Sequence, residues 1–459
     1  MNISKELLEK YNKPVPRYTS YPPANFFKDG FSHDDYAKAI IESNNEKPEN
    51  ISIYIHIPFC QKICHYCGCN NANMRSNKDI RAYVDAVIEE MRLAFEFIEE
   101  DRKISQIHYG GGTPNAIEVQ YLAEINDFLF SSFERIEDAE VAIECNPAHL
   151  TERYIESMKE AGFNRFSIGI QDFNKDVLNI INRDASYIPI PELISLLKYN
   201  DEKASVNLDF IYGLPLQTIE SFKNSIQQGI EAGADRIVTF SYAHVPWVNK
   251  AQMILEKAGL PSENDKIEMF NAAYDLLTNN GYEAIGLDHY ALKTDKLSKA
   301  LKNGQLHRNF QGYCTTQTTG QVYAFGVSAI SQFESAFIQN TKDIEEYIEL
   351  INDDTFACNK GYILNKDEKI IKAIIDQVMC NKELSYSKLC KQLDIEKEVL
   401  SKYTTPARTK LKELAADGII DLTMDGLKVK EDEILFIRNV AAAFDPLVRN
   451  NQGTFSKPV

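Results

Sequence analysis

The sequence predicts an α/β protein: a partial (β/α)6 barrel of the TIM type, with an N-terminal arm over residues 1–50 and a mostly helical domain over 346–459. Three observations predict it. From residue 51, β-branched runs alternate with helix-period stretches, as in parallel strands joined by right-handed crossovers. Side chains able to do chemistry fall just after the strand candidates, the position of active sites at the C-terminal face of a barrel. Prolines crowd the first 25 residues, whereas a helical period dominates the last hundred.

Pro14, Pro16, Pro22 and Pro23 break regular structure around Arg17-Tyr18-Thr19-Ser20-Tyr21, which gives an extended arm; a helix follows over 33–44. Ile51 to Pro58 alternates isoleucines with other residues and forms the first strand. Ile104 to Gly110, Glu140 to Cys145, Arg165 to Ile170, Val206 to Tyr212 and Arg236 to Tyr242 supply the next five. Helical periods occupy 78–100, 117–130, 151–161, 188–199 and 217–232 between them. Residues 245–345 are less regular, with a helix near 263–280 and one strand, Glu283 to Tyr290; 51–345 is taken as barrel plus extension. Helices over 366–380, 384–392 and 405–416 precede Ile419 to Lys430, where Asp425-Gly426 signals a hairpin. Helices plus a hairpin suggest a winged-helix outline. Its balanced charge favours packing or a lid over DNA binding.

The chain has 459 residues, a net charge of −17, 44% hydrophobic and 25% charged residues, an ordinary globular composition. The acidic excess argues against general nucleic-acid binding and requires a local basic pocket for any anionic substrate. No apolar run approaches the ~18 residues of a membrane span. Met1 is followed by polar and charged residues rather than a signal pattern. These features predict a cytoplasmic protein without a membrane span; a monomer is the expectation, though no sequence feature carries it.

The densest chemical signal is Cys60, Cys64, Cys67 and Cys69. The first three are spaced C-x3-C-x2-C, which suits three irons of a [4Fe–4S] cube and leaves the fourth open to a small molecule; ordinary cubes use four cysteines. Zinc knuckles need a second pair at a distance, and none follows. A redox dithiol would use Cys64 and Cys67 but leave Cys60 and Cys69 unexplained. Gly110-Gly111-Gly112-Thr113-Pro114 follows the second strand and admits close approach of a ligand, although a tight loop alone also explains it. Glu144 and Asp209 sit on apolar strands, as ligand-binding carboxylates or as partnered core acids. Arg183 is either a solvated surface group or a bidentate carboxylate clamp. Tyr66, between two of the cysteines, suits an adenine pocket or an ordinary loop. His56 and His65 flank the cysteines and are not assigned as ligands.

Together the segments PRYTSYP (16–22), YIHIPFC (54–60), CHYCGC (64–69), GGGTP (110–114), GIQDFN (169–174), DFIYGLP (209–215), YAHVP (242–246), HRNFQGY (307–313) and GVSAIS (326–331) resemble the radical S-adenosylmethionine enzymes, and within them the oxygen-independent coproporphyrinogen III oxidase (dehydrogenase) family. The resemblance spans nearly the whole chain. It implies an oxidoreductase of porphyrin and haem biosynthesis, which uses a 5′-deoxyadenosyl radical to turn two propionates of coproporphyrinogen III into vinyl groups and give protoporphyrinogen IX. It implies that Cys60, Cys64 and Cys67 ligate the cluster. Tyr54, Gly111, Glu144 and Ile330 match contacts to one S-adenosylmethionine, and Gly112, Thr113, Gln171, Arg183, Asp209 and Ala243 match contacts to a second. Phe310 and Gln311 match further pocket residues, and Cys69 matches an extra, non-ligating cysteine. The electron donor and acceptor remain unidentified partners. A haem-binding chaperone and a haem-opening methyltransferase are relatives with other functions; Cys69 and PRYTSYP weigh against the first and Cys69 against the second.

Overall fold

The computed structural model describes residues 5–449 and Phe455. The chain divides into two compact units, one of Lys28–Asn280 with Gln317–Ile363, the other of Met1–Phe27, Gly281–Thr316 and Leu364–Val459.

The first of these is built on β1 (Ile51–Ile57), β2 (Ile104–Gly111), β3 (Arg135–Cys145), β4 (Arg165–Gln171), β5 (Ser205–Tyr212) and β6 (Arg236–Ser241), paired in parallel in that order. Helices Asn77–Phe95, Val119–Ser132, Glu152–Glu160, Ile190–Lys198 and Ile219–Glu231 make the crossovers. Ser76, Thr151 and Thr218 cap three of them by accepting backbone N–H bonds from Asp79, Tyr154 and Ser221. The second edge of β1 is taken by the parallel strand Gln321–Phe325, followed by antiparallel Ile330–Gln332, Ala336–Asn340 and Cys358–Ile363. The barrel is therefore partial.

Strand alternation decides what faces where. In β1, Ile51, Ile53, Ile55 and Ile57 are at most 1% exposed and supply one apolar face. Ser52, Tyr54 and His56 supply the other, and that face is polar from strand to strand. Tyr54 pairs in register with His108, and Ser167 with Asn207. The polar groups satisfy one another: Gln106 Nε2 and Arg165 Nη1 both donate to Glu140 Oε1 at 3.0 Å, and Ser167 Oγ donates to Asp209 Oδ2 at 2.7 Å. Buried polar groups are tolerated where they are paired in this way.

Besides the four strands added at the second edge of β1, which the sequence does not predict, three further elements differ from the expectation. Glu283 to Tyr290 is not one strand but an antiparallel hairpin, Tyr282–Gly286 with His289–Leu292, turned at Leu287 with φ 45°. Gly286-Leu287-Asp288 is a turn without the Asn-Gly or Asp-Gly pair that marks hairpins most clearly. The arm begins with a short helix, Lys5–Tyr11, ahead of its prolines. A helix at Lys397–Thr404 lies between Tyr386–Leu393 and Arg408–Ala416. The hairpin Ile420–Thr423 with Gly426–Val429 forms at Asp425-Gly426, and Glu383–Ser385 adds a third strand to it.

Within the barrel unit, Glu90 ties the helix Asn77–Phe95 to the loop that begins at Gly326. Its buried carboxylate accepts from Gly326 N (2.8 Å), Asn340 Nδ2 (2.6 Å) and Tyr347 Oη (2.6 Å). Burial pushes this carboxyl up to about 7, against the pull of those three donors. The folded state thus holds the proton more tightly than the unfolded chain. Stability from this group is full below about 4.5 and is lost as pH rises through about 7. Glu90→Gln turns an amide N–H₂ toward a donor, at a cost of about 1–3 kcal/mol. Its thermal midpoint should fall furthest below that of the unaltered protein at pH 5 and approach it at pH 8; a gap constant with pH would contradict the assignment.

Candidate functional site

The cysteines leave the sheet at the C-terminal end of β1. Phe59–Cys60 pairs in parallel with Ala72–Asn73, so the loop between them is closed at its base. The glycine loop after β2 packs against the other side: Gly112 N donates to Ile57 O at 2.8 Å and Thr113 N to Phe59 O at 3.0 Å. A Cβ at Gly112 would lie 2.4 Å from Pro58 O and 3.1 Å from Cys60 Sγ; at Gly111, where φ is +112°, it would lie 2.6 Å from His56. Both positions admit glycine for steric reasons.

Two segments hold the rest of the cysteine loop. His65 N and Nδ1 bond to the carbonyls of Ile181 and Ile180, and Asn182 Nδ2 donates to Ile63 O at 2.9 Å. From the other segment Asn249 Nδ2 donates to Cys67 O at 2.8 Å and Gln252 Nε2 to Tyr66 O at 3.0 Å. Tyr66 packs against the apolar cluster of Val177, Leu178, Ile181, Ile211, Leu214, Tyr242 and Leu255. Asn71, Asn249 and Gln252 carry no motif. They were not assigned from sequence, because each acts on the loop through a fold contact or a local turn.

Cys60 and Cys64 are buried, Cys67 is half-buried and Cys69 is exposed. Burial pushes the Cys60 thiol up to about 11, partly offset by the Thr113 hydroxyl 3.3 Å away. Cys67 is drawn down to about 6, first by the Cys69 thiol and then, against burial, by the Cys69 backbone, Asn71 Nδ2 at 3.3 Å and Arg183. Arg183 belongs to this site, not to the surface. It is wedged beside Gly169, donates Nε to Gly169 O at 3.1 Å and brings Nη1 to 3.6 Å from Cys64 Sγ. A Cβ at Gly169 would collide with its Nη2 at 2.9 Å and with Gln171 Nε2 at 2.7 Å.

The remaining candidates ring the same end of the sheet. Glu144 has its side chain 46% exposed, with His108 Nε2 3.0 Å from Oε1. A Cβ at Gly110 would meet that carboxylate at 3.0 Å and Tyr54 at 3.1 Å. His108 was missed from sequence, although β2 alternation places it beside Glu144. Tyr54 and His108 stack with centroids 6.0 Å apart. Asp209 is held by Ser167 and by Asn207 Nδ2 at 2.7 Å. Gln171 adopts φ 67° and buries Oε1 without a hydrogen-bond partner. Ala243 is exposed just after β6, and Ile330 opens the strand that follows the loop held by Glu90. His56 Nε2 is engaged by Asn70 O at 2.9 Å, and His65 Nδ1 by Ile180 O at 3.0 Å. Phe310 and Gln311 lie in the other unit, at the turn between Leu306–Asn309 and Gly312–Thr315.

Among the described residues, no three histidine, cysteine or acidic side chains are arranged around a single metal ion. The three-cysteine loop offers a different donor set: thiols only, one of them drawn toward thiolate, with a half-buried guanidinium beside them. Soft thiolates of this kind suit an iron–sulfur cluster. The buried, unpartnered Gln171 Oε1 is an acceptor at the same end of the sheet.

Comparison with known proteins gives the same region a family. The radical SAM superfamily model matches residues 54–228. The chain is 35% identical over 465 residues to the oxygen-independent coproporphyrinogen III oxidase of Synechocystis sp., covering 100% of this chain and 98% of that protein. It is 36% identical over 447 residues to the protein of that name from Escherichia coli (strain K12), covering 96% and 95%. It superposes on the solved structure of coproporphyrinogen III oxidase (HemN) from Escherichia coli with a TM-score of 0.87 at 34% identity, covering 97% and 99%.

The steric reading of the loop is testable. Gly112→Ala should displace the Pro58 carbonyl and the base of the cysteine loop, and iron bound per chain after anaerobic reconstitution should drop sharply. Gly68→Ala lies inside the same loop with nothing within 4 Å of its added Cβ, and should load iron normally.

Proposed function

This chain belongs to the oxygen-independent coproporphyrinogen III oxidase family of radical SAM enzymes, and from that premise we propose that it decarboxylates two propionate side chains of coproporphyrinogen III to vinyl groups, giving protoporphyrinogen IX. Each round removes one hydrogen atom, one electron and carbon dioxide from a propionate. Membership brings a [4Fe–4S] cluster and S-adenosylmethionine, which when bound supply one-electron cleavage and a hydrogen-abstracting radical. The observation that carries the reading is the cysteine loop seated on the glycine ridge at the C-terminal end of the parallel strands.

Cys60, Cys64 and Cys67 hold the cluster. Arg183 places a positive charge beside Cys64 and offsets the negative charge that thiolates gather there. Gly111, Glu144, Tyr54 and Ile330 take one S-adenosylmethionine: the half-exposed carboxylate receives an ammonium or hydroxyl, and the glycine lets an amino-acid backbone approach. Gly112, Thr113, Gln171, Arg183, Asp209 and Ala243 take a second one; the orphaned Gln171 Oε1 supports this assignment. Asp209 reaches its ligand already fixed by Ser167 and Asn207, so no side-chain entropy is lost there on binding. Tyr66 lines the adenine pocket. Phe310 and Gln311 match further cofactor-pocket residues of the family. The enzyme acts in the cytoplasm as a monomer, with separate electron donor and acceptor; among the described residues no helix is long and apolar enough to cross a membrane.

Anaerobically reconstituted protein, given S-adenosylmethionine, a reductant, coproporphyrinogen III and soluble extract as acceptor source, should yield a product that has lost two molecules of carbon dioxide by mass. Stable haem binding without that loss would move the chain to a trafficking role. Cys64→Ala should abolish the broad visible absorption of the cluster and all S-adenosylmethionine cleavage; retention of both rejects the ligand assignment. Arg183→Ala should lower turnover by at least about tenfold, a loss of roughly 1.4 kcal/mol in transition-state stabilisation, while sparing cluster absorption.

A further inference from the structure

Glu144 carries a half-exposed carboxylate on a long, rotamer-rich side chain, so its orientation needs a cause. Its neighbours on β4 and β1 do not supply one. Ser167, its partner in register on β4, commits its hydroxyl to Asp209 Oδ2 at 2.7 Å. The Tyr54 hydroxyl on β1 lies 3.2 Å from His56 Nδ1. What holds Glu144 comes from β2. His108 Nε2 is 3.0 Å from Glu144 Oε1, and among the described residues it is the only hydrogen-bond partner of that carboxylate. An ionised carboxylate only accepts, so Nε2 carries the proton and donates.

The donor is fixed from several sides. His108 pairs in parallel register with Ala142 of β3, and Glu144, on the same face of that strand, meets the ring from one step further along. His108 is 7% exposed, and its ring lies against Tyr54 with planes 22° apart and centroids 6.0 Å apart. Gly110 follows His108 on the same face of β2. A Cβ there would come within 3.0 Å of Glu144 Oε1 and 3.1 Å of Tyr54. One strand therefore offers a buried donor and, beside it, the space a methyl would fill, and the carboxylate occupies both. Because the ring is buried and stacked, the bond orders the glutamate rather than the histidine. Oε1 is engaged, and Oε2 is left to face a ligand.

We propose that His108 is a positioning residue for cofactor binding: its Nε2–H fixes the Glu144 carboxylate in the orientation that receives S-adenosylmethionine. This rests on the reading above that Glu144 takes one S-adenosylmethionine. A glutamate free to turn loses rotamer entropy when a ligand immobilises it, whereas one already held does not. His108 acts through Glu144 and not on the cofactor, so its effect should vanish when the carboxylate is absent.

Equilibrium dialysis of anaerobically reconstituted protein against S-adenosylmethionine, without reductant so that the cofactor stays intact, tests this. Glu144→Ala defines the binding that depends on the carboxylate. His108→Gln and His108→Asn both delete the ring and its stack on Tyr54, but only the glutamine is long enough to place an amide N–H where Nε2 stood. His108→Phe keeps a ring and removes the donor. Glu144-dependent binding should weaken by about tenfold in His108→Asn and His108→Phe and stay within about threefold in His108→Gln, the order expected when one side chain must be re-ordered on binding. Iron bound per chain should be unchanged in all three. Added to Glu144→Ala, His108→Asn should cause no further loss. Normal binding in His108→Asn and His108→Phe overturns the proposal. Equal losses in His108→Gln and His108→Asn also overturn it, because they assign the effect to ring packing, and so does a further loss in the Glu144→Ala background. If one of His108→Asn and His108→Phe fails to load iron, the other decides; failure of both makes His108 a folding residue and overturns the proposal. If Glu144→Ala binds S-adenosylmethionine as the unaltered protein does, the parent reading fails and the positioning role falls with it. A loss in Glu144→Ala without one in His108→Asn refutes the positioning role alone.

Discussion

The site depends on one short stretch of backbone, Ile57 to Cys60, gripped from both sides. Gly112 and Thr113 donate to the carbonyls of Ile57 and Phe59; Ala72 and Met74 donate to those of Pro58 and Cys60. Four hydrogen bonds thus fix the chain where it leaves the first strand, and with it the first cysteine. The grip is possible only because Gly112 has no side chain to strike Pro58 O. A loop anchored at both ends costs less entropy to order than a free one. It can therefore present Cys64 and Cys67 on residues that make no regular structure themselves.

The second constraint is the division of the sheet into an apolar face and a polar face. Parallel sheets usually bury apolar residues on both sides. Here the isoleucines of β1 cover one side, and the other carries Tyr54, His108, Glu140, Glu144, Ser167, Asn207 and Asp209. The lower members of that face close on one another through Glu140. The upper members hold their carboxylates ready at the mouth. Pre-formed polar groups in a water-poor site act more strongly than the same groups in water and need not reorganise when a ligand arrives.

Most of the barrel was legible because its signals are local. Ile51 to Pro58 and Val206 to Tyr212 are apolar, β-branched runs with few rivals for strand, and the cysteine and glycine motifs follow strands directly. What escaped depends on contacts distant in sequence. The strands between Gln321 and Ile363 are short and interrupted by Gly326, and they exist because they add to an edge of β1 that the sequence does not announce. The hairpin at Gly286-Leu287-Asp288 lacks the Asn-Gly or Asp-Gly pair that marks such turns in sequence. Arg183 left two readings open on sequence: its neighbours Asn182 and Asp184 resemble a surface turn, yet its guanidinium is sealed against Gly169 and Cys64. Its role comes from a glycine fourteen residues away that was itself unremarkable.

That last case bears on how glycines and charges work together here. Gly110, Gly112 and Gly169 each remove a Cβ that would strike a functional group: Glu144 and Tyr54, the Cys60 region, and Arg183 with Gln171. In each, the missing methyl lets a charged or sulfur-bearing side chain lie close against its neighbours. Removing part of a guanidinium from water carries a desolvation cost unless the group is paired. Gly169 O and Cys64 Sγ supply that pairing only at the distance glycine allows. The glycine pattern is therefore part of the electrostatics of the site, because it sets how closely positive charge approaches the thiols.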